Sequence, residues 1–88
     1  MEYFHLYICT TCSYCESAIS LLEEEEREFI VTVMDKAPAF KEAVAKHLNF
    51  PTIPIVVKGT LEGSLEMVGG YTQLKEYLAK EKEEKKDD

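Results

Sequence analysis

Cys12 and Cys15 bracket Ser13 and Tyr14 in the run Cys12-Ser13-Tyr14-Cys15, and a third cysteine, Cys9, precedes them at the same spacing. A C-x-x-C pair suits two chemistries: reversible thiol–disulfide exchange, or one half of a four-ligand metal site. The metal reading is incomplete, because the chain has only 3 cysteines. A bacterial ferredoxin run would place a further cysteine and a proline where Ile19 and Ser20 stand. His5 and His47 are the remaining ligand sources, and both are isolated residues that read as ordinary packing or surface positions. Redox exchange is therefore the favoured chemistry, with no metal assigned.

The roles of the two thiols follow from where a helix would begin. If Cys12 opens one, unpaired main-chain N–H groups and the positive end of the helix dipole stabilise its thiolate. Its pKa is then expected to drop from about 8.5 into the range of roughly 3.5–7.5. Cys15 follows one turn later on the same side, nearer the core. Cys12 is accordingly the attacking thiol and Cys15 the resolving one. Cys9 reads as a small, half-buried residue at a strand end, with an accessory thiol as the alternative.

The flanking pattern supplies that strand and that helix. Tyr3 to Ile8 alternates Phe4, Leu6 and Ile8 with Tyr3, His5 and Tyr7, a strand with two usable faces. From Ser13 the apolar positions become Cys15, Ala18, Ile19 and Leu22, the stripe of a helix packed on one side, predicted to reach about Glu26. Phe29 to Met34 is a nearly continuous apolar, β-branched run, expected to be a strand buried on both faces. Pro38 opens a second helix whose apolar face is Phe40, Ala43, Val44 and Leu48, ending near Asn49 ahead of Pro51. Ile55 to Val57 and Leu65 to Val68 read as a hairpin whose loop carries Gly59 and Gly63. Gly69-Gly70 ends it, and Thr72 caps a last helix with Leu74, Tyr77 and Leu78 inward. The predicted order is βαβαββα.

Length and charge set the outer limits. With 88 residues, 45% of them hydrophobic, one small domain over residues 1–80 is expected, followed by a charged, fraying tail over 81–88. The net charge of -7, with acidic runs at Glu23 to Glu28 and in the tail, argues against nucleic acid as a partner. Within the first run, Glu23 or Glu24 is positioned to compensate Arg27. No stretch approaches the ~20 apolar residues of a membrane span, and the N-terminus lacks the features of a secretory signal. A reducing cytoplasm is the expected address, in which a close cysteine pair signals redox chemistry more often than a structural crosslink.

Three motifs occur together: the cysteine pair at a strand-to-helix turn, Thr52-Ile53-Pro54 before the third strand, and Gly69-Gly70-Tyr71-Thr72 before the last helix. On residues alone, Pro54 is also readable as a strand-entry proline and the glycines as a plain turn with a helix cap. In combination, order and spacing, the motifs make the sequence resemble the glutaredoxin family over nearly its whole length. The absence of tryptophan points away from thioredoxin itself.

The resemblance implies an α/β thioredoxin-like fold, a four-stranded mixed sheet flanked by three helices. It implies glutathione as co-substrate, with no tightly bound cofactor, and disulfide-bonded or glutathionylated proteins as the substrates of a monomer. By the same resemblance Pro54 is a cis-proline facing the cysteines, next to Thr52, and the main chain of Ile53 pairs with the cysteinyl part of glutathione. Gly70, Tyr71, Thr72 and Gln73 hold its glutamyl end at a helix start, and Tyr14 flanks the groove.

The chain departs from the family pattern at three places. Cys9 stands where many members carry a lysine. Asn49, Phe50 and Pro51 replace the polar or basic residues often found before Thr52, leaving Lys36 or Lys58 as partners for the glycyl carboxylate. Gln73 occupies a place often held by Asp, which makes that contact a neutral hydrogen bond. Two other functions fit the resemblance: an iron–sulfur carrier in which two chains share a cluster through Cys12 and glutathione, suggested by Ser13 within the motif, and an electron donor reduced by thioredoxin reductase, for example to ribonucleotide reductase.

Overall fold

A computed structural model describes residues 1–85. The elements run β1 (Glu2–Ile8), α1 (Ser13–Glu24), β2 (Phe29–Val33), α2 (Pro38–Leu48), β3 (Ile55–Thr60), β4 (Leu65–Gly69) and α3 (Tyr71–Lys85). The strands form one mixed sheet in the order β2-β1-β3-β4, with β1 parallel to β2 and the remaining pairs antiparallel. This is the thioredoxin-like α/β fold that the order of elements and the motifs predicted.

Two apolar clusters arise from the alternation of β1 and β3. Phe4, Leu6, Ile8 and Val56 point to one face, where Ala18 and Leu22 of α1 and Leu74 and Leu78 of α3 close over them. On the other face, Ile55 meets Met34 and Val44, with Tyr7 and Leu48 at the margin. Helices α1 and α2 each end where a left-handed residue lets the chain reverse: Glu26 (φ 54) just after α1 and Asn49 (φ 52) after α2. At both, the N–H of the next residue bonds back to a carbonyl five positions earlier, Arg27 to Leu22 at 3.0 Å and Phe50 to Ala45 at 3.2 Å. Helix α1 therefore stops at Glu24, two residues short of its apolar-pattern estimate.

Several sequence expectations are corrected. β2 is not buried on both faces: it forms a sheet edge, and Ile30, Val31 and Val33 are exposed, because α2 packs over Tyr7, Met34 and Ile55 instead of over the edge. β3 does not stop at Val57 but runs through Gly59 to Thr60, opposite Tyr3 and Glu2. Gly59 leaves room in that strand for Tyr3, whose ring a Cβ there would approach to 2.9 Å.

Arg27 pairs not with Glu23 or Glu24 but with Glu81, Nη1 to Oε1 at 2.7 Å, and its guanidinium lies 5.0 Å from the centroid of the Phe4 ring. Lys58 is engaged within the protein: its Nζ donates to Tyr77 Oη at 2.8 Å and to Glu81 Oε2 at 3.0 Å, and pairs with Glu2 at 3.1 Å. Burial opposes the charge on Lys58, yet the hydrogen bonds to Tyr77, Glu81 and Glu2 outweigh it and raise its pKa. Residues 81–85, assigned on charge to a fraying tail, continue α3, and Glu81 ties that turn to Arg27 and to β3. The rest of the expected tail, residues 86–88, lies outside the described residues.

Candidate functional site

The site is built where β1 hands the chain to α1. Ile8 is held in the sheet, Thr10 and Thr11 form a turn, and Cys12 becomes the N-cap of α1 with extended backbone (φ -137, ψ 110). The main-chain N–H of Cys15 donates to Cys12 Sγ at 3.2 Å, so the sulfur takes the place usually held by a capping oxygen. The Cys12 thiol is half-buried and stands 3.9 Å from the carbonyl oxygen of Ile53, to which it donates.

Cys15 has a different setting. It is 1% exposed and packs within the same core cluster as Leu6, Ala18 and Leu22. Burial, followed by its hydrogen bond with Cys12, pushes the Cys15 thiol up to about 12. At neutral pH it is a protonated thiol held in reserve beside the more accessible sulfur. Among the described residues no group of three or more His, Cys, Asp or Glu side chains is arranged to hold a metal ion.

The turn before Cys12 is anchored from the end of β2. Both the main-chain N–H and the hydroxyl of Thr10 donate to Asp35 Oδ2, the former at 3.1 Å. The hydroxyl bond, with the main-chain one behind it, holds the Asp35 carboxyl below its usual range. Sequence reading passes over this pair, because 25 residues separate Thr10 from Asp35 and only the parallel pairing of β1 with β2 brings them together.

Beside Cys12 runs a groove of about 450 Å³ lined by Tyr14, Phe50, Thr52, Ile53, Pro54, Gly70, Tyr71, Thr72 and Gln73. Every residue assigned to the ligand groove from the sequence lines it. The Ile53–Pro54 bond is cis and leads into β3. Tyr14 and Tyr71 approach across the groove with ring centroids 6.0 Å apart, and Tyr14 is 62% exposed.

Two features of the groove go beyond the sequence reading. Phe50 forms part of its wall, delivered there by the left-handed turn at Asn49; the available signal is its place between a helix cap and Pro51. Gln73 turns back, and its Oε1 accepts the Gly70 N–H at 2.9 Å, taking one of the donors expected to meet a carboxylate. Gly69 allows this closure: its φ is +125, and a Cβ would lie 2.8 Å from the Gln73 side chain. The N–H groups of Tyr71, Thr72 and Gln73 open α3 without intrahelical acceptors. All nine lining residues are uncharged, and neither Lys36 nor Lys58 is among them.

An accessible thiol capping a helix, with a second thiol buried one turn later on a thioredoxin-like sheet, defines a thiol–disulfide oxidoreductase. Residues 2–61 match the glutaredoxin family model, and the chain belongs to the glutaredoxin family. That match spans β1 through β3 and includes both cysteines and Pro54, whereas Gly69 to Gln73 lie beyond it. Comparison with curated proteins gives no match.

Proposed function

We propose that this glutaredoxin reduces protein–glutathione mixed disulfides and protein disulfides with glutathione as the reductant, acting as a cytoplasmic monomer. The observation that carries the reading is the position of Cys12 Sγ, 3.9 Å from the Ile53 carbonyl, at the side of a groove that can receive an extended thiol peptide. In the first reaction the Cys12 thiolate attacks the glutathione sulfur of the mixed disulfide. The protein thiolate leaves and takes a proton, and Cys12 becomes glutathionylated. The thiolate of a second glutathione attacks that adduct, releasing glutathione disulfide and free Cys12.

With a protein disulfide, Cys12 forms a mixed disulfide with one substrate sulfur. Cys15 then displaces the substrate, leaving a Cys12–Cys15 bond that two glutathione molecules reduce. The uncharged groove favours recognition through main-chain groups and aromatic contact over ion pairing. A glutathione-coupled disulfide reduction assay on the wild type, Cys12→Ser and Cys15→Ser tests the assignment. Activity is expected to vanish in Cys12→Ser and, for mixed disulfides, to persist in Cys15→Ser; an active Cys12→Ser protein would refute it.

The lack of charge in the groove also favours a second reading, in which thioredoxin reductase supplies the electrons. Running the same assay with NADPH and either reductant system separates the two supply routes.

A further inference from the structure

The sequence contains two overlapping C-x-x-C spacings, and Cys12 belongs to both. Thr10 and Thr11 form a turn that begins at Cys9 and returns the chain at Cys12. The ends of such a four-residue turn lie within about 7 Å at Cα, inside the span a disulfide can bridge. Asp35 anchors this turn through the N–H and hydroxyl of Thr10. The two possible partners of Cys12 differ in access: Cys15 is 1% exposed, whereas Cys9 is partly exposed.

We propose that Cys9 is a second resolving thiol, able to displace substrate from Cys12 in place of Cys15. The step rests on Cys12 being the attacking thiol. With Cys12 joined to a substrate sulfur, the Cys9 thiolate attacks Cys12 Sγ, the bond to the substrate breaks, and the substrate thiolate leaves and takes up a proton. A Cys9–Cys12 disulfide results. Two electrons have passed from the enzyme dithiol to the substrate disulfide, and two reductant thiols return the enzyme to its starting state. Because Cys9 is nearer solvent than Cys15, this route does not require the core around Leu6, Ala18 and Leu22 to open.

The test compares Cys15→Ser with the double variant Cys9→Ser/Cys15→Ser. Hydroxyethyl disulfide is the oxidant, so that the affinity of the groove for glutathione plays no part, and intact mass is followed over time. The double variant is expected to hold one mercaptoethanol adduct on Cys12. Cys15→Ser is expected to lose that adduct at least about tenfold faster, ending with an internal disulfide and no free thiol, as an intramolecular attack requires. An adduct equally long-lived in both proteins, with Cys9 still free, overturns the proposal. A double variant that takes up no adduct instead removes Cys12 as the attacking thiol, and the reading beneath this one falls with it. Should the Cys15→Ser variant fail to fold, partly oxidised wild type supplies the answer by fragment mapping: a Cys9–Cys12 crosslink is expected beside Cys12–Cys15, and its absence overturns the proposal.

Discussion

The main-chain N–H of Cys15 points at Cys12 Sγ from 3.2 Å, while the side chain of the same residue is buried at 1% exposure. One residue therefore supports the Cys12 sulfur through its backbone and keeps its own sulfur out of solvent. The division follows from helix geometry, since an amide in the first turn faces back along the axis while the side chain lies against the sheet.

That division predicts the order of thiol reactivity. In the reduced, native protein iodoacetamide should label Cys12 before Cys15. With its pKa near 12, roughly one Cys15 in 10⁵ is a thiolate at pH 7. Peptide mapping after timed labelling checks this. The raised folded-state value also has a stability consequence. The protonated thiol favours folding below the unfolded pKa, and that contribution is lost as pH rises from about 9 towards 12. The alkaline slope in unfolding free energy should diminish in Cys15→Ser.

The groove predicts weak salt dependence. With no charged residue among its lining groups, the glutathione-coupled rate should change by less than about twofold between roughly 0.05 and 0.5 M salt, because screening acts on charge pairs that this groove lacks. A steep decline would place a cation at the ligand. Gly69→Ala should impair the same site: at φ +125 a Cβ costs about 1 kcal/mol or more of backbone strain and displaces Gln73. A raised glutathione KM together with a lowered unfolding midpoint is the expected signature.

Glu81 joins α3 to the rest of the molecule. Its carboxylate holds Arg27 and Lys58, all three side chains being at most 24% exposed. Replacing Glu81 with Ala should cost about 1–3 kcal/mol, since two partly buried cations lose their partner. The urea midpoint should fall with little change in slope. Burial pushes the Glu81 pKa upward, but the hydrogen bonds from Arg27 and Lys58 prevail and lower it. Its stabilising contribution is therefore complete above the unfolded carboxyl value of about 4.3 and is lost as pH falls through the lower folded value. Acid sensitivity in that window should decrease in Glu81→Gln.

Asp35 offers a direct titration. Its pKa is lowered first by the hydrogen bond from the Thr10 hydroxyl and then by the main-chain one. The Thr10 amide resonance should titrate with a midpoint below the ordinary carboxyl value of about 3.9, and Thr10→Val should move that midpoint upward. A Thr10 amide insensitive to pH would mean that the brace is absent in solution.

The residues that line the groove, Phe50 apart, are named only through the family resemblance, whereas the amino-acid sequence on its own determined the order of elements, the helix starts at Ser13 and Pro38, and the inward faces of β1 and α1. These are legible because local spacing governs them: alternation marks a strand, a stripe every three or four residues marks a helix, and Cys12, Pro54 and Gly69 sit at the joints between elements. Tertiary structure alone decided that β2 is an edge, that Gly59 lies under Tyr3, that Arg27 pairs with Glu81 and not with Glu23 or Glu24, and that Asp35 braces the turn before Cys12. It also decided how the opening pair works. C-x-x-C places two thiols within reach of one another, but only packing α1 against the sheet buries Cys15 and leaves Cys12 beside the groove, because access is set by neighbours distant along the chain.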